Sequence, residues 1–210
     1  MPHLLSAHSV ILYRYLKEHN TTISWSVNHD AEVLGISIAP AQSPVFIKRN
    51  SARATSAAAE QSFPWANIVE TGGFGHISWY SKDVMPFKHG HVECIALATK
   101  EAIKTKEKAI KEVMYFIHQA GADIEHARTI GGKALEKEVK MVRKHIKSHT
   151  RESIIASLDP ETRVINYEHL NIDKLGLKQI MDYALEGGVI KHKIDINRFA
   201  DERFFITLEK

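Results

Sequence analysis

Apolar residues recur along this chain in two rhythms, and the change between them falls near residue 99. In the first stretch the runs are short. Val10, Ile11, Leu12, Tyr15 and Leu16 share one face at helical spacing, after Ser6 and Ser9, either of which suits an N-cap, and Asn20 ends that helix. Residues 23–27 alternate apolar and polar and predict a half-buried strand. Residues 33–39 predict a second, more buried strand closed by Pro40, and Ser43-Pro44 predicts a helix start with Ser as cap and Pro at the first helical position. Residues 92–99 (Val-Glu-Cys-Ile-Ala-Leu-Ala-Thr) have the composition of a third, buried strand.

From Lys100 the period becomes helical. Ile103, Ile110, Val113, Met114 and Ile117 form a stripe that Gly121 is expected to end, and a short second helix covers 124–130 before Gly131-Gly132. Leu135, Val139, Val142 and Ile146 stripe a third helix, and Ile154, Ile155 and Leu158 a fourth ahead of Asp159-Pro160. Residues 175–185 make a fifth, stopped by Gly187-Gly188, and 194–205 read as short extended or turn structure. Residues 50–62 are small and polar and suit a weak helix or a loop equally. The pattern predicts an α/β lobe over residues 1–99 followed by a mostly helical part over 100–210 that packs on it.

Composition narrows the function classes. With 210 residues, 44% apolar and 25% charged, the chain is long enough for one large or two small folded units. A net charge of +3, with lysines alternating with glutamates along helices, gives no reason to expect a nucleic-acid partner. No apolar run nears the roughly 20 residues needed to span a bilayer, so membrane insertion is not expected. The single cysteine, Cys94, excludes an internal disulfide and a multi-cysteine metal site.

The densest chemistry lies in residues 61–80, which hold two of the three Trp and three of the eleven Gly. Aromatic rings give rigid contact area and glycines allow close backbone approach, as a pocket needs, though a packed turn would use the same residues. His8 is placed near the amide end of the first helix, where anions and polar ligand groups are attracted, or simply on the surface. His89 and His91 would share one side of a strand, but no third ligand is identifiable, so neither metal nor cofactor is expected. Cys94 reads as a small buried core residue without an activating partner.

One segment carries a resemblance. Residues 6–15 (Ser-Ala-His-Ser-Val-Ile-Leu-Tyr-Arg-Tyr) resemble the motif that opens the second lobe of nitrate-, bicarbonate- and sulfonate-type solute-binding proteins of ABC transporters. The order continues with Ala39-Pro40-Ala41-Gln42, with Phe63-Pro64-Trp65 where that family has Glu-Pro-Trp, and with 184–190 and 194–204, which are similar to its C-terminal helix and tail. The resemblance implies a lobe of the type II periplasmic-binding-protein kind, part of a clamshell that closes on a small solute, delivers it to a membrane permease and does no chemistry. It implies a periplasmic or other extracytoplasmic location. Residues 1–8 have no signal-peptide character, and most of the first lobe would be missing. His8 matches the histidine that contacts the bound anion, and Ser62 stands where the family has glycine. The lysine that pairs with the anion would fall near Cys94, so the expected solute is organic rather than a simple oxyanion, with apolar or aromatic surface facing Trp65. Gln42 and Ser43, at a helix start, join His8, Ser62 and Trp65 as expected ligand-binding residues. With half the contacts absent, binding by this chain is expected in roughly the millimolar range.

Two other classes compete. A cytoplasmic ligand-sensing module of the same fold would suit a chain without an export signal. An enzyme similar to the yeast-type thiamine-pyrimidine synthase would need an iron-binding cysteine-rich segment, which one cysteine cannot supply.

Overall fold

The computed structural model describes residues 1–26, 30–53, 57–85, 87–88 and 92–208. Helix α1 (Ala7–Glu18) starts where the Ser6 hydroxyl accepts from the Ser9 N–H. It buries Val10 and Ile11 and stops at His19, followed by Asn20 in the left-handed region at φ 54°. Strand β1 (Ile23–Ser24) pairs in parallel with β2 (Val33–Leu34), Ile23 against Val33 and Ser24 against Leu34. A 3-10 turn at Pro40–Gln42 runs into α2 (Ser43–Ala52), followed by α3 (Trp65–Thr71) and the single turn α4 (Ser81–Val84). The remainder is α5 (Lys100–Ile130), α6 (Gly132–His145), α7 (Arg151–Ser157), α8 (Lys174–Glu186), α9 (Ile196–Phe199) and a 3-10 turn at Glu202–Phe204.

The α/β lobe expected over residues 1–99 does not form. The structure is 55% helical, with two short parallel strands among the described residues, far from a periplasmic-binding-protein lobe. The cause lies in pairing. Alternation makes a segment able to be a strand, but a ladder also needs a neighbour along its length, and parallel sheets need several. The β1–β2 ladder ends after two residue pairs, and among the described residues no strand pairs with 92–99. That segment stays extended and open, with Ile95 46% and Leu97 76% exposed.

The best-packed centre is helical. Val139 of α6 with Ile154 and Leu158 of α7 form its buried heart, covered by Ile124, Leu135, Val142, Ile155 and Tyr167. α1 packs on α8, α2 on α3, and α3 on α7. At the α1–α8 crossing the Tyr13 ring lies where a Cβ on Gly187 would meet it at 3.0 Å, and Lys17 and Arg14 pair with Glu186. No helix among the described residues is long and apolar enough to cross a membrane.

Two helical expectations also change. Gly121 does not end a helix: α5 runs through it to Gly131, whose φ of 67° makes the stop. A Cβ on Gly121 would meet Leu170 Cδ1 at 2.6 Å and Tyr167 Cβ at 3.2 Å, so the missing side chain admits the 167–170 segment against the helix. The tail is not plain turn. Asp195 caps α9 by accepting from Asn197 N–H at 3.0 Å, and Asp201 caps the last 3-10 turn through Arg203 N–H at 3.2 Å.

Candidate functional site

A cleft of about 2190 Å³ opens between the N-terminal helices and α5. Its lining includes His8 of α1, Ser43 of α2, Ser62 and Trp65 around the start of α3, and the apolar stripe of α5 with Ile103, Ile110 and Met114. Four of the five residues expected to bind ligand therefore face one space. Gln42 does not. It precedes α2 on an exposed turn, held by its own N–H donating to Ala39 O at 2.8 Å, and lies outside the cleft wall.

Each of the four has a local reason for its position. Ser43 is 1% exposed and is the first helical residue rather than the cap; its hydroxyl donates to Pro40 O at 2.7 Å, fastening the 3-10 turn to α2. Ser62 O accepts from Trp65 N–H at 3.1 Å across the Phe63–Pro64 pair, which sets the indole on the wall. Trp65 is half-buried and meets the His149 ring edge-on, centroids 5.4 Å apart. Its neighbours in the glycine-rich stretch are also engaged, Trp79 stacked on Tyr15 at 4.3 Å and Phe63 tilted against Tyr80 at 6.0 Å.

His8 is not at an open helix end. It is 8% exposed, and its Nε2 lies 3.1 Å from Glu93 Oε1. The open segment 92–99 thus borders the cleft with a carboxylate turned to α1. Glu60 and Gln61 are also among the residues around the cleft. Glu60 Oε2 and both amide atoms of Gln61 are closed to solvent and have no hydrogen-bond partner. Burial, and then the charge of Glu93, push the Glu60 carboxyl up to about 8, against the opposing α-amino group of Met1. Burial likewise raises Glu93 and lowers the Met1 amine.

Pattern reading missed Glu60, Gln61 and Glu93. Glu93 is the one charge in an otherwise apolar run, and Glu60-Gln61 ends a run of three alanines; a polar group where its surroundings are apolar is the available signal. Cys94 is exposed rather than buried, because the segment that carries it has no ladder. Partial burial of the sulfur and the Glu93 charge raise its thiol above 9.0. The native protein is therefore expected to react with iodoacetamide slowly at neutral pH and faster as pH rises, and Glu93→Gln should speed the neutral reaction. Labelling as fast as a free cysteine peptide at pH 7 would contradict this. Among the described residues no group of three or more His, Cys, Asp or Glu is placed to hold a metal ion; His89 and His91 lie outside them.

Comparison of the chain with protein-family models, with curated proteins and with solved structures finds no match.

Proposed function

We propose that the protein is a solute-binding component, or part of one, that captures a small molecule in this cleft without transforming it, and that it serves an ABC importer as its resemblance to nitrate-, bicarbonate- and sulfonate-type binding proteins implies. The observation that supports this most is that His8, Ser43, Ser62 and Trp65, from three separate helical starts, all line one cleft. The reading rests on that convergence and on the motif order, not on a clamshell fold. A small solute fills roughly 300–1,000 Å³. The cleft holds about 2190 Å³, so a solute occupies only part of it and binds weakly until the rest is filled.

The test is a ligand screen by NMR on the whole chain, with small anions, sulfonates and heterocyclic metabolites at roughly millimolar concentration. Binders are expected to shift the Trp65 indole signal, and Trp65→Ala should weaken them about tenfold or more. A panel that leaves the indole unmoved throughout would overturn the reading.

A further inference from the structure

We infer that the outward face of α6 is a docking surface for an anionic lipid bilayer, with Lys133, Lys137, Lys140 and Lys144 on the headgroups and Met141 seated among them. The inference is independent of the cleft and of the solute-binding reading.

Charge is unevenly spread along the chain. Residues 133–147 hold six lysines and arginines against two glutamates, an excess of four, whereas the whole chain has an excess of three. The twist of α6 sorts these groups. Val139 is 1% exposed and packs with Ile154 and Leu158, with Leu135 and Val142 beside it. At roughly 100° per residue, the four lysines fall within about 60° of arc on the side opposite Val139. All four are exposed.

Neither glutamate answers this row. Glu136 pairs with Arg151, and Glu138, its side chain 17% exposed, reaches only Lys137, at 4.0 Å. Lys133, Lys140, Arg143, Lys144 and Lys147 have no ion pair among the described residues. The row also works against its own helix. Lys133 and Lys137, like Lys140 and Lys144, are equal charges four positions apart, and such pairs repel. Cations in the last turn, here Arg143, Lys144 and His145, suit the helix dipole; Lys133 stands at the amino end, where a cation is disfavoured. Helix stability does not account for the row, and an opposing anionic surface does.

Met141 selects the partner. It is 48% exposed and lies one turn from both Lys137 and Lys144. An apolar side chain among outward lysines suits a bilayer surface, where it dips to the acyl boundary while the amines stay with the phosphates. A nucleic-acid backbone gives it nothing to bury against, and the row has no Asn, Gln or aromatic residue to read or stack on a base. The helix lies on the bilayer rather than in it, since its own apolar stripe is committed to the core.

The test is sedimentation of the whole chain with vesicles, phosphatidylcholine alone against phosphatidylcholine with about one third phosphatidylserine, at about 0.15 M and 1 M salt. Binding is expected with the anionic vesicles only, and to be lost at the higher salt. Each lysine should contribute about fivefold, so changing Lys137, Lys140 and Lys144 to Gln together should weaken binding about a hundredfold. That variant loses a repulsion and should unfold at the same urea concentration as the unaltered chain or a higher one. Changing Lys104, Lys108 and Lys191 to Gln removes the same charge elsewhere and should keep binding within about threefold. Met141→Ser should weaken it about fivefold and leave the salt dependence as it is. Equal sedimentation with both vesicles, or with neither, would overturn the inference. So would an equal loss in the two triple variants, or tighter binding to a DNA duplex that Met141→Ser leaves unchanged.

Discussion

Replacing Arg128 by leucine is expected to cost about 3–5 kcal/mol of folding stability, the usual penalty for breaking a buried ion pair from one side. Its side chain is 1% exposed, and it ties three parts of the helical region together. Nε donates to Leu158 O at the end of α7 at 3.1 Å, one terminal nitrogen donates to both Glu125 oxygens at 2.8 and 2.7 Å, and the other to Ile165 O at 2.5 Å. Glu125 also accepts from Tyr167 N–H at 2.8 Å, so the pair anchors the segment that folds back over Gly121. Removing the guanidinium leaves Leu158 O and Ile165 O without that donor, and leaves a carboxylate, itself 14% exposed, to the half-exposed Arg163 guanidinium at 3.3 Å and the Tyr167 N–H. Urea unfolding is the measurement. A domain of this kind has about 5–15 kcal/mol in total, so the variant should be marginal at 25 °C. Adding Glu125→Leu should recover only part of the loss, since it removes the buried charge but also the acceptor of Tyr167 N–H. A single-variant cost under about 1 kcal/mol would show that the network is not what holds α5 to α7.

The second large effect is a stability profile that slopes the wrong way for a carboxylate. Paired carboxylates stabilise a fold as pH rises; Glu60 should do the opposite. Its carboxyl titrates at about 8 in the folded chain against an ordinary 4.5, so between those values the folded state keeps a proton that the unfolded state has released. Stability from this group is then full below pH 4.5 and declines through the window to pH 8, at up to about 1.4 kcal/mol per pH unit, on the order of 5 kcal/mol in all. Glu93, also raised, acts in the same direction, and the lowered Met1 amine opposes it between its lowered folded value and its ordinary 8.0. Glu60→Gln should flatten the slope and make the protein more stable than wild type at pH 8, as read from urea midpoints across the range. Equal slopes in the two proteins would refute the assignment.

These two residues show why some of the molecule is legible along the chain and some is not. α1, α6 and α8 follow from periodic apolar faces with local stops, because every interaction that sets them lies within a few residues. Gly121 misleads, since a glycine inside α5 means a stop only if nothing packs on it, and its reason is a segment nearly fifty positions later. Residues 92–99 mislead for the same cause: a strand is completed by a partner, and alternation or apolar content says nothing of whether one is in reach. In the cleft, His8, Ser43, Ser62 and Trp65 stand at helix starts and in an aromatic cluster, all local signals. Glu60 and Gln61 acquire meaning only when their surroundings close over them, and Glu93 only when the fold brings it to His8, so their chemistry is a property of the fold.

The open segment 92–99 has a consequence for the protein in concentrated solution. Eight consecutive residues carry one formal charge, no proline and no glycine, and their extended backbone presents N–H and C=O groups to whatever strand approaches. Native sheets blunt such edges with lysine, proline or a bulge, and here Glu93 is the single gatekeeper, already drawn inward to His8. Self-association should therefore begin at this segment, by strands of two molecules pairing edge to edge, and the pH that neutralises Glu93 also removes the only charge that holds them apart.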